Sequence, residues 1–123
     1  MSRIYFNLGN CAREKSQWAD AITAYQHSID FTEGQFFPAR YNLIISIDAA
    51  GDTPAALEKA KQLCLDMPKH AQSWHIYGIM LARLRQYTKA IEAFQKALSR
   101  DPTHLESRDL MHKAQALLEA NAP

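Results

Sequence analysis

The histidines and cysteines are the residues of this sequence best suited to metal or nucleophilic chemistry. The chain has five His and two Cys. Two metal ligands on one helical face lie three or four residues apart, but His70 and His75 are separated by five positions, and His104 and His112 by eight. We therefore predict no metal site.

The cysteines and glycines offer no catalytic pattern either. Cys11 and Cys64 have no Cys-x-x-Cys spacing and lie in helical apolar patterns, so we interpret them as small buried hydrophobic residues of a reduced protein. No nucleophile-elbow motif is present, and the four Gly are dispersed rather than gathered in a phosphate-binding loop. The sequence predicts a protein that is not an enzyme and holds no cofactor.

Composition excludes two classes of partner. The 123 residues include 14 Lys plus Arg and 13 Asp plus Glu, so a formal net charge of +1 gives no field that attracts nucleic acid or anionic lipid. No stretch approaches the roughly 18 apolar residues of a membrane span. Polar residues also interrupt the N-terminus before a signal-peptide core accumulates. We expect a cytoplasmic protein with neither a nucleic acid nor a membrane as partner.

The elements that position these residues form a repeat with a period of 34. Pro68 recurs as Pro102 and Ala56 as Ala90, and one inserted residue brings the start of the chain into the same register. The units span residues 2–35, 37–70 and 71–104, followed by 105–123.

Each unit has two amphipathic helices. The two apolar stripes of the third unit consist of Trp74, Tyr77, Gly78 and Leu81, then Ala90, Phe94, Ala97 and Leu98. A final stripe predicts a capping helix over 105–120 and consists of Leu110, Ala114, Leu117 and Leu118. No alternating run predicts a strand.

Turn and cap residues agree with these helices. Gly51 is placed to end one helix, and Thr53 and Pro54 are placed to begin the next as its N-cap and first residue. Thr103 and Glu106 have the spacing of a capping box, which predicts the start of the last helix.

The third unit resembles the tetratricopeptide repeat, whose pattern is W-x2-L-G-x2-Y with later Ala, Phe and Pro positions. Its matching residues are Trp74, Gly78, Ala90, Phe94, Ala97 and Pro102. The first unit matches at Leu8, Gly9, Ala21 and Tyr25, and the weaker second unit at Leu43, Ala56 and Pro68. The resemblance implies an all-α fold: a right-handed α-solenoid of antiparallel helix pairs, with about seven helices, as a single domain over residues 1–123.

Glycine and aromatic residues recur at matching places in the first and third units. Gly9 and Gly78 are expected to let the two helices of a unit approach closely, while Tyr25 and Phe94 fill the space towards the neighbouring helix.

The same resemblance indicates where a ligand binds, because the first helix of each unit lines a concave face in this family. We expect a peptide-binding groove there. Its residues are Phe6, Asn7, Asn10, Arg13, Tyr41, Asn42, Ile45, Asp48, His75, Ile76, Ile79 and Arg83.

One subclass of the family holds the acidic C-terminal tail of chaperones with two Asn and three cations. Asn10 and Asn42 occupy the Asn columns, but the cation columns hold Phe6, Gln72 and Ile76. Without cations the tail carboxylates lose charge-assisted hydrogen bonds worth about 1.5–3 kcal/mol each, so we expect no binding of such tails.

The replaced cations make the centre of the groove apolar, which favours a protein or peptide partner with apolar anchors. Some of these side chains, Ile45 and Ile79 above all, are alternatively part of the packing between repeats.

The sequence therefore predicts a protein-interaction module. Two alternatives remain open: the scaffold portion of a longer enzyme or signalling protein, and a structural scaffold that self-associates through the N-terminal helix, which has no capping segment before it.

Overall fold

A computed structural model describes residues 1–121, which form seven α-helices and no strand. This confirms the predicted all-α class. The helices are α1 (Ser2–Glu14), α2 (Trp18–Phe31), α3 (Phe37–Ala49), α4 (Thr53–Asp66), α5 (Ala71–Arg83), α6 (Tyr87–Arg100) and α7 (Leu105–Ala120). None of them, within residues 1–121, combines the length and hydropathy that a membrane span requires.

The helices fall into two compact units, residues 1–56 and a second that begins at Leu57. In the first unit α1 packs against α2, and α2 packs against α3. In the second unit α5 packs against α6, and α6 packs against α7. The organisation of the whole chain as one domain with three repeats and a cap stays a prediction.

The core of the first unit is built around Tyr25, whose side chain is fully buried. It clusters with Ala12, Ala21 and Leu43, which are also buried. A Cβ atom added to Gly9 would lie 2.6 Å from the Tyr25 ring. The absence of a side chain at Gly9 therefore allows α1 and α2 to approach closely, as the sequence predicted.

The second unit repeats this contact between α5 and α6. Phe94 is 1% exposed and packs with Leu81 and Ala90. A Cβ atom on Gly78 would lie 2.6 Å from the Phe94 ring. The predicted pairing of a glycine with an aromatic residue is confirmed here too.

The loop between α3 and α4 corrects one predicted cap. Gly51 does end α3, with a φ of 102°. The N-terminus of α4 is capped by Asp52, however, because the backbone N–H of Ala55 donates to Asp52 Oδ1 at 3.1 Å. The hydroxyl of Thr53, predicted to be the cap, instead donates to Asp48 Oδ1 at 2.7 Å.

The capping box predicted at the start of α7 is also wrong. The N-cap is His104, whose Nδ1 accepts a hydrogen bond from the backbone N–H of Ser107 at 3.3 Å. The Thr103 hydroxyl donates to Asp101 Oδ1 at 2.6 Å. A nearer carboxylate thus engages the hydroxyl before it can cap the helix.

Four helices end in the same left-handed turn, with φ values of 57°, 52°, 102° and 61° at its central residue. These central residues are Ser16, Glu33, Gly51 and Arg85. In each turn the N–H of this residue donates to the carbonyl three positions earlier at 2.9–3.2 Å. The following N–H reaches five positions back at 2.8–3.2 Å. This is the Schellman arrangement, which favours glycine at its left-handed residue. Three of the four turns therefore carry a non-glycine residue whose left-handed backbone is strained.

We expect Arg85→Gly to raise the free energy of unfolding by about 0.5–1 kcal/mol, because relief of the left-handed strain exceeds the added entropy of the unfolded chain. Gly51→Ala should lower it by about 1 kcal/mol for the opposite reason. Urea denaturation followed by circular dichroism measures both effects. The matched control Arg108→Gly places the same change inside α7, where it should destabilise by about 1 kcal/mol. A loss of stability in Arg85→Gly would contradict this account.

Candidate functional site

The first unit brings its two groove asparagines into one hydrogen-bonded cluster. The Tyr25 hydroxyl donates to Asn10 Oδ1 at 2.5 Å, and Asn42 Nδ2 donates to the same oxygen at 3.2 Å. Burial raises the pKa of Tyr25, against the opposing effect of Arg13, which is charged and hydrogen-bonded to it. The phenol therefore stays protonated as a donor at neutral pH. The Asn10 carbonyl is engaged, which leaves the Asn10 NH2 and the Asn42 carbonyl to face a peptide backbone.

Aromatic rings lie beside this cluster. Phe6 packs edge-on against Phe36, with ring centroids 5.1 Å apart, and Tyr41 lies 5.8 Å from Phe37. Both predicted groove rings are half-buried, so part of each surface remains available to a ligand. Asn7 is exposed, while the other predicted residues of this unit are half-buried: Asn10, Arg13, Asn42, Ile45 and Asp48.

In the second unit the structure corrects two groove assignments. His75 and Ile76 are only 3% and 2% exposed, so neither side chain presents a surface to a ligand. His75 Nδ1 is hydrogen-bonded to the buried Ser107 Oγ at 2.8 Å, which places the imidazole between α5 and α7. Ile79 is half-buried and Arg83 is exposed, as a groove requires.

Burial lowers the pKa of His75 to about 4. The imidazole of His104, whose centroid is 4.7 Å away, lowers it further. The Glu106 carboxylate, 3.7 Å from Nε2, opposes the change. His75 is therefore neutral in the folded protein at any pH above about 4, whereas in the unfolded chain its pKa is near 6.5.

This difference predicts a loss of stability in mild acid. Between a pH of about 6.5 and about 4 the unfolded chain binds a proton that the folded protein does not, so stability is complete above this window and falls through it. At about pH 5 the loss attributable to His75 is about 2 kcal/mol. Urea denaturation at about pH 7 and about pH 5 measures it. His75→Gln, which keeps a polar group beside Ser107 but does not titrate, should flatten this dependence, and an unchanged slope would contradict the assignment.

The structure also contains a pocket of about 430 Å³ in the second unit, formed by α5, α6 and α7. Its floor is apolar, and two exposed cationic side chains, Arg83 and Lys113, stand at its edge. The lining residues are Ile79, Ala82, Arg83, Tyr87, Phe94, Leu110, Lys113, Ala114 and Leu117. Its volume lies within the range of small-ligand sites, about 300–1,000 Å³.

Ile79 and Arg83 are predicted binding residues from the sequence, whereas the α7 side of this pocket is not among the predicted residues. Extending the 34-residue period by one more unit places Lys113 in the column of Ile79 and Leu117 in the column of Arg83. The apolar stripe of α7 by itself predicts only a capping helix. The 34-residue register is therefore the sequence signal that could have predicted the α7 side of the pocket.

The two cysteines differ in environment. Cys64 is buried, as predicted, and burial raises its pKa to about 12. Its thiol lies 3.2 Å from the Ser73 carbonyl oxygen, to which it donates. Cys11 is exposed, which corrects the prediction, because the part of α1 that bears it is not covered by α2. No group of three His, Cys, Asp or Glu side chains within residues 1–121 is arranged to hold a metal ion.

Comparison with known proteins gives one family match. Residues 71–104 match the model of the tetratricopeptide repeat. These bounds coincide with the third unit of the sequence repeat. No significant relative is found among curated proteins.

Solved structures match over nearly the whole chain. The tetratricopeptide-repeat domain of Sgt2 from Aspergillus fumigatus matches with a TM-score of 0.88 and 19% identity, covering 99% of this chain and 85% of that one. The first such domain of Spaghetti (RPAP3), bound to the HSP90 peptide SRMEEVD, matches at 0.85 and 14%, covering 96% and 93%. The TPR2B domain of yeast Sti1, in complex with an Hsp70 peptide, matches at 0.84 and 17%, covering 94% and 97%. At these identities the likeness establishes the fold.

Proposed function

Since residues 71–104 are a tetratricopeptide repeat and the chain has the fold of tetratricopeptide-repeat domains, we propose that it is a non-catalytic protein-interaction module that binds a peptide segment of its partner. Function has to be argued from the site rather than from the fold. The observation that carries the proposal is the pocket formed by α5, α6 and α7 in the second unit.

The pocket selects for an apolar anchor. Phe94 and Ala114, 1% and 2% exposed, form a floor that is already packed. Leu117 is 46% exposed and offers apolar surface that a ligand could cover. An aliphatic or aromatic side chain inserted here removes apolar surface from water on both partners, which contributes about 25 cal/mol per Å².

The edge of the pocket adds a charge preference. Arg83 and Lys113 are the charged residues of the lining, and both are cationic. A carboxylate beside the anchor would therefore be attracted to the pocket edge, and an ammonium group would be repelled. We propose a partner segment that combines an apolar side chain with a neighbouring acidic residue.

The amide cluster of the first unit suits a different part of a ligand. Asn10 and Asn42 offer one donor group and one carbonyl that can pair with a peptide backbone irrespective of sequence. The remaining groove residues of that unit keep their proposed role, whereas His75 and Ile76 act through the core. The exposed thiol of Cys11 and the reduced Cys64 fit a reducing compartment such as the cytoplasm.

The pocket can be tested with peptides selected from a random phage-displayed library on the immobilised chain. We expect a consensus with an apolar residue next to Asp or Glu, and Leu117→Glu should weaken the selected peptide at least about tenfold, because it puts a carboxylate into the apolar wall. Lys113→Glu should remove the acidic preference. Fluorescence anisotropy gives the dissociation constants.

The matched control for this experiment is Leu65→Glu, since Leu65 is 67% exposed on α4 and does not line the pocket. It should bind the peptide as the unmodified chain does. If both pocket variants also bind normally, the site lies elsewhere. If no peptide is selected, the proposed module function is wrong.

A second test uses the peptide SRMEEVD, which a solved neighbour binds. Two of the cation columns of such clamps hold Phe6, half-buried among aromatic rings, and Ile76, which is 2% exposed. The third holds the exposed Gln72. We expect isothermal titration calorimetry to detect no binding tighter than about 1 mM. A micromolar dissociation constant would contradict this prediction.

A further inference from the structure

The outer face of α1 carries an apolar seam that no other helix within residues 1–121 covers. Met1, Ile4 and Leu8 are 68%, 56% and 54% exposed, and Cys11 is exposed as well. Their spacing of three, four and three residues is that of the a and d positions of a coiled coil. A narrow seam with this spacing is suited to packing against another helix.

The repeat shows how unusual this exposure is. Ile4 occupies the column of Ala39, Ser73 and Ser107, and each of those three residues is 0% exposed. On α3 and α7 the helix that precedes in the chain packs alongside: α2 beside α3 in the first unit and α6 beside α7 in the second. The residue at this repeat position is therefore buried in α3, α5 and α7 and exposed in α1.

The larger side chain of Ile4 indicates that the partner of α1 differs from the helix that covers this position in the later repeats. Alanine and serine in this column let a covering helix approach closely, but an isoleucine would hold it away. A side chain of the size of Ile4 instead suits ordinary helix packing, in which the two helix axes lie about 8–10 Å apart. The face therefore suits a helix other than the second helix of a preceding pair.

We propose that the seam pairs with the same seam of a second copy of this chain, with the two α1 helices antiparallel. Arg3 and Glu14 are both exposed, lie near opposite ends of α1, and project to the same flank. An antiparallel pair places Arg3 of each copy on the same side of the seam as Glu14 of the other, where opposite charges attract. A parallel pair places these flanks on opposite sides of the seam and offers no such contact. The opposite flank of α1 adjoins α2, because Tyr5 stacks on Phe31 at 5.7 Å and Ala12 is buried.

Other exposed apolar residues among those described offer no comparable face. Phe31 is engaged with Tyr5, Leu117 belongs to the pocket, and Leu65 stands among exposed polar residues on α4. Leu105 and Leu118, 62% and 40% exposed, lie 13 positions apart on α7, on different faces of the helix. Among the described residues, large exposed apolar side chains line one face of a single helix at Met1, Ile4 and Leu8. A two-fold pair of identical seams is self-complementary by symmetry.

The predicted pair is weak. A helix of 13 residues is about 20 Å long, so two such helices bury less than the roughly 1,600 Å² of a standard interface. We expect association at concentrations of about 0.1–1 mM, with charge contacts that weaken in high salt.

Sedimentation equilibrium over about 0.01–1 mM tests the proposal. The average mass of the unmodified chain should rise from 14.0 kDa towards twice that value. Leu8→Glu and Ile4→Glu should each stay monomeric while retaining the helical circular dichroism spectrum, since both side chains are more than half exposed. The control Leu65→Glu, at 67% exposure, should associate as the unmodified chain does.

Charge reversal tests the antiparallel orientation. Arg3→Glu and Glu14→Arg should each weaken association several-fold, and the double variant should restore it, because the pair of opposite charges is re-formed. A chain that stays monomeric at about 1 mM overturns the proposal. Association that persists in Leu8→Glu, or that Leu117→Glu abolishes, places the contact elsewhere and also overturns it. These readouts are independent of peptide binding.

Discussion

The close approach of an aromatic ring to a glycine is the contact on which the α1–α2 pair and the α5–α6 pair depend. Tyr25 lies over Gly9 in the first unit and Phe94 over Gly78 in the second, and in both a single added Cβ would come within 2.6 Å of the ring. Such contacts fix the distance between two helices more narrowly than general apolar burial does, because a packed interior does not absorb even one added carbon freely.

These rings also connect the core to the candidate binding surfaces. The buried ring of Tyr25 carries a hydroxyl that reaches Asn10, so the amide cluster is positioned by the same residue that closes α1 onto α2. Phe94 packs on Gly78 and forms part of the floor of the α5–α7 pocket. A binding surface supported in this way is preorganised, which reduces the entropy that a ligand must overcome.

The placement of α7 depends on a small buried polar network rather than on apolar contacts alone. His75 is hydrogen-bonded to Ser107 Oγ, and the N–H of Ser107 donates to His104 at the N-cap. His104 Nδ1 accepts and must be unprotonated for this contact, whereas His75 Nδ1 can donate to or accept from the Ser107 hydroxyl according to its tautomer. Burial lowers the pKa of His75 and so favours its neutral form. These hydrogen bonds hold Ser107 at one position relative to α5 and thereby set the register of α7. That register decides which α7 side chains reach the pocket.

The sequence by itself determined the helices, the α1–α2 and α5–α6 pairs and the glycine–aromatic contacts, because helical periodicity and the 34-residue repeat record interactions that recur locally. It placed two caps one residue away, at Thr53 and Thr103, because it did not show that nearby carboxylates engage their hydroxyls. Only the tertiary structure decided that His75 and Ile76 are buried and that a pocket opens beside them. Exposure depends on which neighbouring helix covers a stripe, and that neighbour is distant in sequence.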